Sequence, residues 1–113
     1  MPYINTITNK TITKDSELRL KTQFGSAITL LHKTESWLML NFNDNQKMYF
    51  QGDGSKPMAM VEVKLFGKST PTDYQNMTRK ITEIVSNELK IAPNCVYVKY
   101  EEVAHWGWNG NNF

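Results

Sequence analysis

Twice along this chain a stretch with helical periodicity is bracketed by short runs of β-branched and aromatic residues, and this alternation restricts the fold more than any other feature. In the first unit Leu20, Phe24, Ala27, Ile28 and Leu31 recur at i, i+4, i+7, i+8 and i+11, which is one face of a helix expected over about residues 15–33. Ahead of it, Pro2–Thr8 reads as a strand opened by a proline, which strands tolerate at their first position. Behind it, Trp37–Phe42 reads as a second strand. Turn chemistry over Asn43–Gln46 then leads to a short Met48–Phe50 strand and a loop over Gln51–Pro57.

The second unit repeats the plan. Met58–Phe66 is a strand, and Thr70 can cap a helix with Pro71 at its first position and Asp73 in its first turn. Tyr74, Met77, Ile81, Ile84, Val85 and Leu89 line one face of that helix, Pro93 stops it, and Cys95–Tyr100 is the next strand. Sliding the chain by 58 residues lays Leu31–Phe42 on Leu89–Tyr100, a helix end running into a strand in both, matched in pattern more than identity. Right-handed crossovers put both helices on one face of a four-stranded mixed sheet, an α/β chain in the form of a two-layer α+β sandwich built from two βαβ units.

The 113 residues suit one domain spanning 1–113, long enough to bury a core without disulfides or structural metal. Thirteen basic against 11 acidic side chains, with no run longer than Arg79-Lys80, form no stripe for a phosphate backbone, so nucleic acid is not an expected partner. An RNA-binding module of similar strand order would carry stacking aromatics on its central strands, and Met58–Leu65 has none. No apolar run approaches the ~18 residues of a membrane helix, and the N-terminal stretch lacks the charged start and apolar core of a secretory signal. A cytosolic chain with no membrane partner is expected, in which the sequons Asn9-Lys-Thr11 and Asn76-Met-Thr78 are chance matches.

Topology also says where chemistry can gather. In a βαβ unit the start of the first strand and the end of the helix share one edge, so Pro2 and Lys33 should be neighbours. If the two units pair head to tail, Phe66 reaches the same edge. Removal of the initiator methionine would leave Pro2 as a secondary amine, and a nearby cation or partial burial lowers the pKa of such a group toward neutrality. An amine that is neutral near pH 7 can take a proton. Met1 left in place would instead make that nitrogen an amide. The plainer readings are that Met-Pro only opens a strand and that Lys33, in the last turn of the helix, only answers the helix dipole.

Other candidates are weaker. Lys64 and Lys99 read as solvated strand-face charges. His32 and His105 lack the companions of a metal site, so no metal is expected. Cys95, inside an apolar strand and without a CxxC or Cys-His pairing, reads as a core residue. Trp106, Trp108 and Phe113, in the Gly- and Asn-rich tail, can cover core, meet another subunit or wall a pocket.

Met-Pro at the start, Lys33 at the end of the first helix, the Phe66-Gly67-Lys68 step, Val96-Tyr-Val98 after Ala92-Pro93, and Gly107-Trp108-Asn109 with Phe113 together resemble the macrophage migration inhibitory factor family of the tautomerase superfamily. The likeness spans the whole chain. It implies a homotrimer whose sheets enclose a channel, with active sites between subunits and no cofactor. It further implies that Pro2 is the catalytic base and acid interconverting keto and enol forms of phenylpyruvate-like 2-oxo acids. Lys33 and the Phe66 backbone N–H would then hold the substrate carboxylate, Tyr97 would enter from the adjacent chain, and Trp106, Trp108 and Phe113 would wall the pocket.

The segment between Tyr100 and Trp106 is shorter than in the family's vertebrate members, and four further features depart from the family pattern. Met58-Ala-Met-Val61 replaces a Cys-x-x-Cys, so thiol redox chemistry is not expected; Lys99 replaces a pocket asparagine and would add charge; Trp106 replaces a smaller aliphatic residue; and His32 stands where glycine is usual. Some relatives also act as cytokine-like ligands of a cell-surface receptor and leave cells by a non-classical route. The resemblance implies that role as an alternative to catalysis.

Overall fold

The computed structural model of residues 1–113 contains both βαβ units. Strand β1 (Pro2–Thr8) is followed by helix α1 (Lys14–Ala27) and strand β2 (Met39–Asn43). Strand β3 (Ala59–Phe66), helix α2 (Pro71–Leu89) and strand β4 (Val96–Val103) follow, and a small hairpin of β5 (Gly107–Trp108) and β6 (Asn111–Asn112) closes the chain. The sheet order is β2-β1-β3-β4, parallel within each unit and antiparallel where β1 meets β3. The head-to-tail pairing sets Pro2 opposite Leu65 and thereby brings Phe66 beside the start of the chain.

Side-chain alternation assigns the two faces of the sheet. On β1 and β3 every second residue is buried, and Ile4, Val61, Val63 and Leu65 are fully so, facing the helices. Leu20 and Phe24 of α1 and Met77, Ile81, Ile84 and Val85 of α2 join Ile4, Val61 and Val63 in one core. Both helices are capped as their sequences require. The Thr13 hydroxyl accepts from the Ser16 N–H at 3.2 Å, and the Thr70 hydroxyl accepts from the Asp73 N–H at 3.1 Å, with Pro71 at the first position of α2. Thr8, buried on β1, donates to the Met58 carbonyl at 2.7 Å, whereas the buried Thr6 hydroxyl has no partner.

Several expected boundaries shift. The helix expected to Lys33 ends as an α-helix at Ala27 and tightens into a 3-10 turn over Ile28–Leu31, after which His32 turns left-handed at φ 60°. The tighter period aligns residues three apart, so Ile28 and Leu31 both stay in the core. Lys33 consequently stands just beyond the helical segment instead of in its last turn. The second strand starts at Met39, because Glu35–Trp37 form a 3-10 turn in which the Leu38 N–H reaches the Glu35 carbonyl.

Likewise α2 ends at Leu89 with Lys90 left-handed at φ 56°, three residues before Pro93. Cys95 is buried as expected but closes the turn Pro93–Cys95 instead of lying in the strand. The expected Met48–Phe50 strand is absent. Phe50 and Asp53 exchange both backbone hydrogen bonds at 3.0 Å, which leaves Phe50 nothing to offer a neighbouring strand. Strand β4 runs on to Val103, because β3 offers pairing as far as Phe66.

Candidate active site at the sheet edge

Three chain segments converge where β1 begins. Pro2 is buried at the first position of β1. The turn after α1 sends Lys33 toward the end of β3, where its Nζ donates to the Phe66 carbonyl at 3.1 Å. The Phe66 N–H, in turn, donates to the Met1 carbonyl at 3.0 Å. Lys33, Phe66 and the start of the chain therefore meet as sequence and topology predict.

The turn that carries Lys33 is tied down from the other helix. His32 Nε2 lies 3.1 Å from Asp73 Oδ2 at the N-terminus of α2, and the Ser69 hydroxyl donates to the same oxygen at 3.0 Å. That hydroxyl, above all, holds the Asp73 carboxyl below its ordinary value. A second contact lies on α1, where the Glu35 carboxylate packs against Gly25 in the space a β-carbon would take.

Electrostatics favours an unprotonated amine at this edge. Partial burial, and next to it the Lys33 ammonium, pull the terminal amino group of Met1 below the ordinary 8.0. Both effects penalise the charged form, so the fraction able to accept a proton at neutral pH rises. With Met1 in place, however, the Pro2 nitrogen is an amide and the Phe66 N–H is occupied.

Beside Pro2 opens a cavity of about 580 Å³. Its walls are Tyr3, Trp37, Leu38, Met39, Trp106 and Trp108, with Ser36 and Lys64 as the polar side chains. The Trp37 and Trp108 rings meet edge to face with centroids 4.9 Å apart. The tail reaches this position through its hairpin, whose turn residues Asn109 and Gly110 both have positive φ, at 52° and 80°. Other grooves exist, one of about 750 Å³ near Lys10, Lys47 and Asp53, but they lie away from the terminal amine.

The remaining sequence candidates divide. Trp106 and Trp108 wall the cavity. Phe113, expected as a wall, is not among the lining residues and instead stacks obliquely on Phe66 with centroids 5.7 Å apart. Tyr97 and Lys99 are not brought to Pro2 within one chain. They sit on β4 opposite Met60 and Glu62, Tyr97 exposed and packed on Phe50, Lys99 3.6 Å from both Glu62 and Glu101. Sequence reasoning missed Trp37, Tyr3, Met39 and Lys64. A signal for Lys64 existed, since the β1–β3 register places it opposite Tyr3 and beside the partner of Pro2. The Asn109-Gly110 pair was likewise a legible hairpin signal.

The family model for macrophage migration inhibitory factor (MIF) matches residues 1–113. The chain belongs to the MIF family. It is 28% identical over 115 residues to the macrophage migration inhibitory factor homolog of Brugia malayi, covering 100% of this chain and 99% of that one. Among solved structures it is similar to Leishmania major MIF2, with 32% identity, a TM-score of 0.94 and coverage of 100% and 97% of the two chains. The MIF homologue of Prochlorococcus marinus superposes with a TM-score of 0.89 at 26% identity, covering 98% of each chain. Membership of this family, with its tautomerase fold, points to isomerase chemistry.

Proposed function

We propose that this protein is a keto–enol tautomerase of phenylpyruvate-like 2-oxo acids, with the amine of Pro2 as general base and acid once Met1 is removed. The observation that carries the reading is the convergence of Lys33, Phe66 and the start of the chain beside an aromatic-walled cavity, a place where burial and Lys33 already lower the pKa of the Met1 amine. The Pro2 nitrogen removes a proton from the carbon next to the 2-oxo group. The C–H electron pair becomes the enolate double bond, and the negative charge moves to the carbonyl oxygen. Returning a proton to that oxygen gives the enol, and the reverse sequence gives the ketone. No net charge or redox equivalent changes hands.

Loss of Met1 serves this chemistry twice. It turns the Pro2 nitrogen from an amide into an amine, and it frees the Phe66 N–H that the Met1 carbonyl occupies. That N–H and the Lys33 ammonium can then bind the substrate carboxylate together, one as a directed donor and the other as a charge. The aromatic walls take the substrate ring. Tyr97 and Lys99, exposed on β4 and remote from Pro2 in the same chain, enter the pocket from an adjacent copy in a homotrimer.

Intact mass separates the Met1-free from the Met1-bearing protein, and loss of enol absorbance from phenylpyruvate measures ketonisation by each. The processed species should accelerate the reaction and the Met1-bearing species should not. Equal rates for the two would refute Pro2 as the base. Sedimentation at micromolar concentration tests the trimer, and a monomer that is fully active would remove Tyr97 and Lys99 from the site.

A further inference from the structure

All three tryptophans of the chain line the cavity beside Pro2, and Lys64 is the one cationic side chain that the same chain contributes to its lining. Lys33 is already engaged at the edge, where it donates to the Phe66 carbonyl. The Lys64 side chain donates no hydrogen bond within the chain. Its nearest carboxylate oxygen, on Glu101, is 3.5 Å away, and the other oxygen of Glu101 faces Lys99 at 3.6 Å. Glu62, the second carboxylate of the group, accepts from the Asn5 amide at 3.0 Å and faces Lys99. Lys64 therefore has a half share of one counter-charge.

Its ammonium also lies 5.9 Å from the centroid of the Tyr3 ring, itself a cavity wall. An ammonium whose one carboxylate neighbour is 3.5 Å away and shared with Lys99, beside a largely aromatic cavity, has donors left for an anion.

We propose that Lys64 is a specificity-determining residue that receives a second anionic group. The favoured substrate is then an aromatic 2-oxo acid with a carboxylate on its ring, held at one end by Lys33 and the Phe66 N–H and at the other by Lys64. This inference rests on the tautomerase reading and adds the substrate class. The register supports two separate anion positions. Lys64 is on the strand face opposite Tyr3, whereas Phe66 is at the strand end beside Met1.

The test compares phenylpyruvate with its 4-carboxy analogue on the processed protein. The expected kcat/KM is about tenfold higher for the dianion, the worth of one charge-assisted contact. Lys64→Gln should bring the ratio close to one. No preference in the unsubstituted protein overturns the proposal. So does an unchanged ratio in the variant, or an equal loss on both substrates, which would make Lys64 the holder of the shared carboxylate. Binding is read independently of turnover by quenching of tryptophan emission, since every tryptophan lines this cavity. Terephthalate should bind about tenfold more tightly than benzoate, and Lys64→Gln should erase the difference. If neither oxo acid is turned over, the tautomerase reading has failed. Terephthalate binding no tighter than benzoate would then separately sink the role of Lys64.

Discussion

After α1 the backbone turns left-handed at His32, and 58 residues later it does the same after α2 at Lys90, with φ of 60° and 56°. Each left-handed residue is followed by a short 3-10 turn, Glu35–Trp37 in one unit and Pro93–Cys95 in the other, and then by a strand parallel to its unit's first. The residue after the break differs. In the first unit it is Lys33, at the open edge with its ammonium on the Phe66 carbonyl; in the second it is Ile91, only 2% exposed. A shared backbone device thus holds a charge at one end of the molecule and closes the core at the other. The fold supplies two equivalent edges, and chemistry gathers at one because Pro2, Lys33 and Phe66 meet there, where the second unit offers Met60 and Ile91.

The largest expected effect follows from leaving Met1 attached. That species should have kcat/KM for phenylpyruvate at least about 100-fold below the processed protein, as expected for removing a general base. Steady-state rates on mass-verified samples check it.

Next comes an exchange between the two edges. Ile91→Lys puts an unpaired ammonium where a buried side chain was and should cost on the order of 3–5 kcal/mol, visible as a lowered urea midpoint. An unchanged midpoint would mean the second edge is as open as the first.

The reverse probe is Lys33→Ala. It should lower kcat/KM about tenfold or more, mainly through KM, by loss of a charged partner for the carboxylate. It should also move the acidic limb of the pH profile. Burial and the Lys33 cation depress the Met1 amine, and the same surroundings should depress the Pro2 amine, so the wild-type rate should rise with pH through a midpoint below that of a free prolyl amine. Without the cation that midpoint shifts upward. A midpoint that stays put would remove Lys33 from the electrostatics of the base.

Smaller changes sharpen the comparison of the turns. Lys90→Gly should stabilise by about 1 kcal/mol, because a left-handed backbone suits glycine. His32→Gly should gain less, since it also gives up the contact with Asp73. Equal gains in thermal midpoint would show that the His32–Asp73 tie contributes nothing. In the core, Thr6→Val replaces a buried hydroxyl without a partner and should raise stability by about 1 kcal/mol or less.

Much of the architecture was legible from spacing. The faces Leu20–Leu31 and Tyr74–Leu89, the Thr70-Pro71 cap and the opening of β1 at Pro2 are local signals, and the structure contains them. The ends of elements were less legible. The 3-10 segment Ile28–Leu31 looks helical in sequence because its apolar residues serve either period, and the packing of Ile28 and Leu31 chose the tighter one. The Met48–Phe50 run has strand composition, yet its backbone bonds are taken by the turn to Asp53.

The sequence by itself determined two βαβ units, their capped helices, and an edge where Pro2, Lys33 and Phe66 meet, because periodicity and crossover handedness act over short stretches of chain. Only the tertiary structure decided that Trp37, Lys64 and the tail hairpin close around Pro2. Those contacts join segments tens of residues apart, and they depend on strand register and on how far each turn swings, which local pattern leaves free.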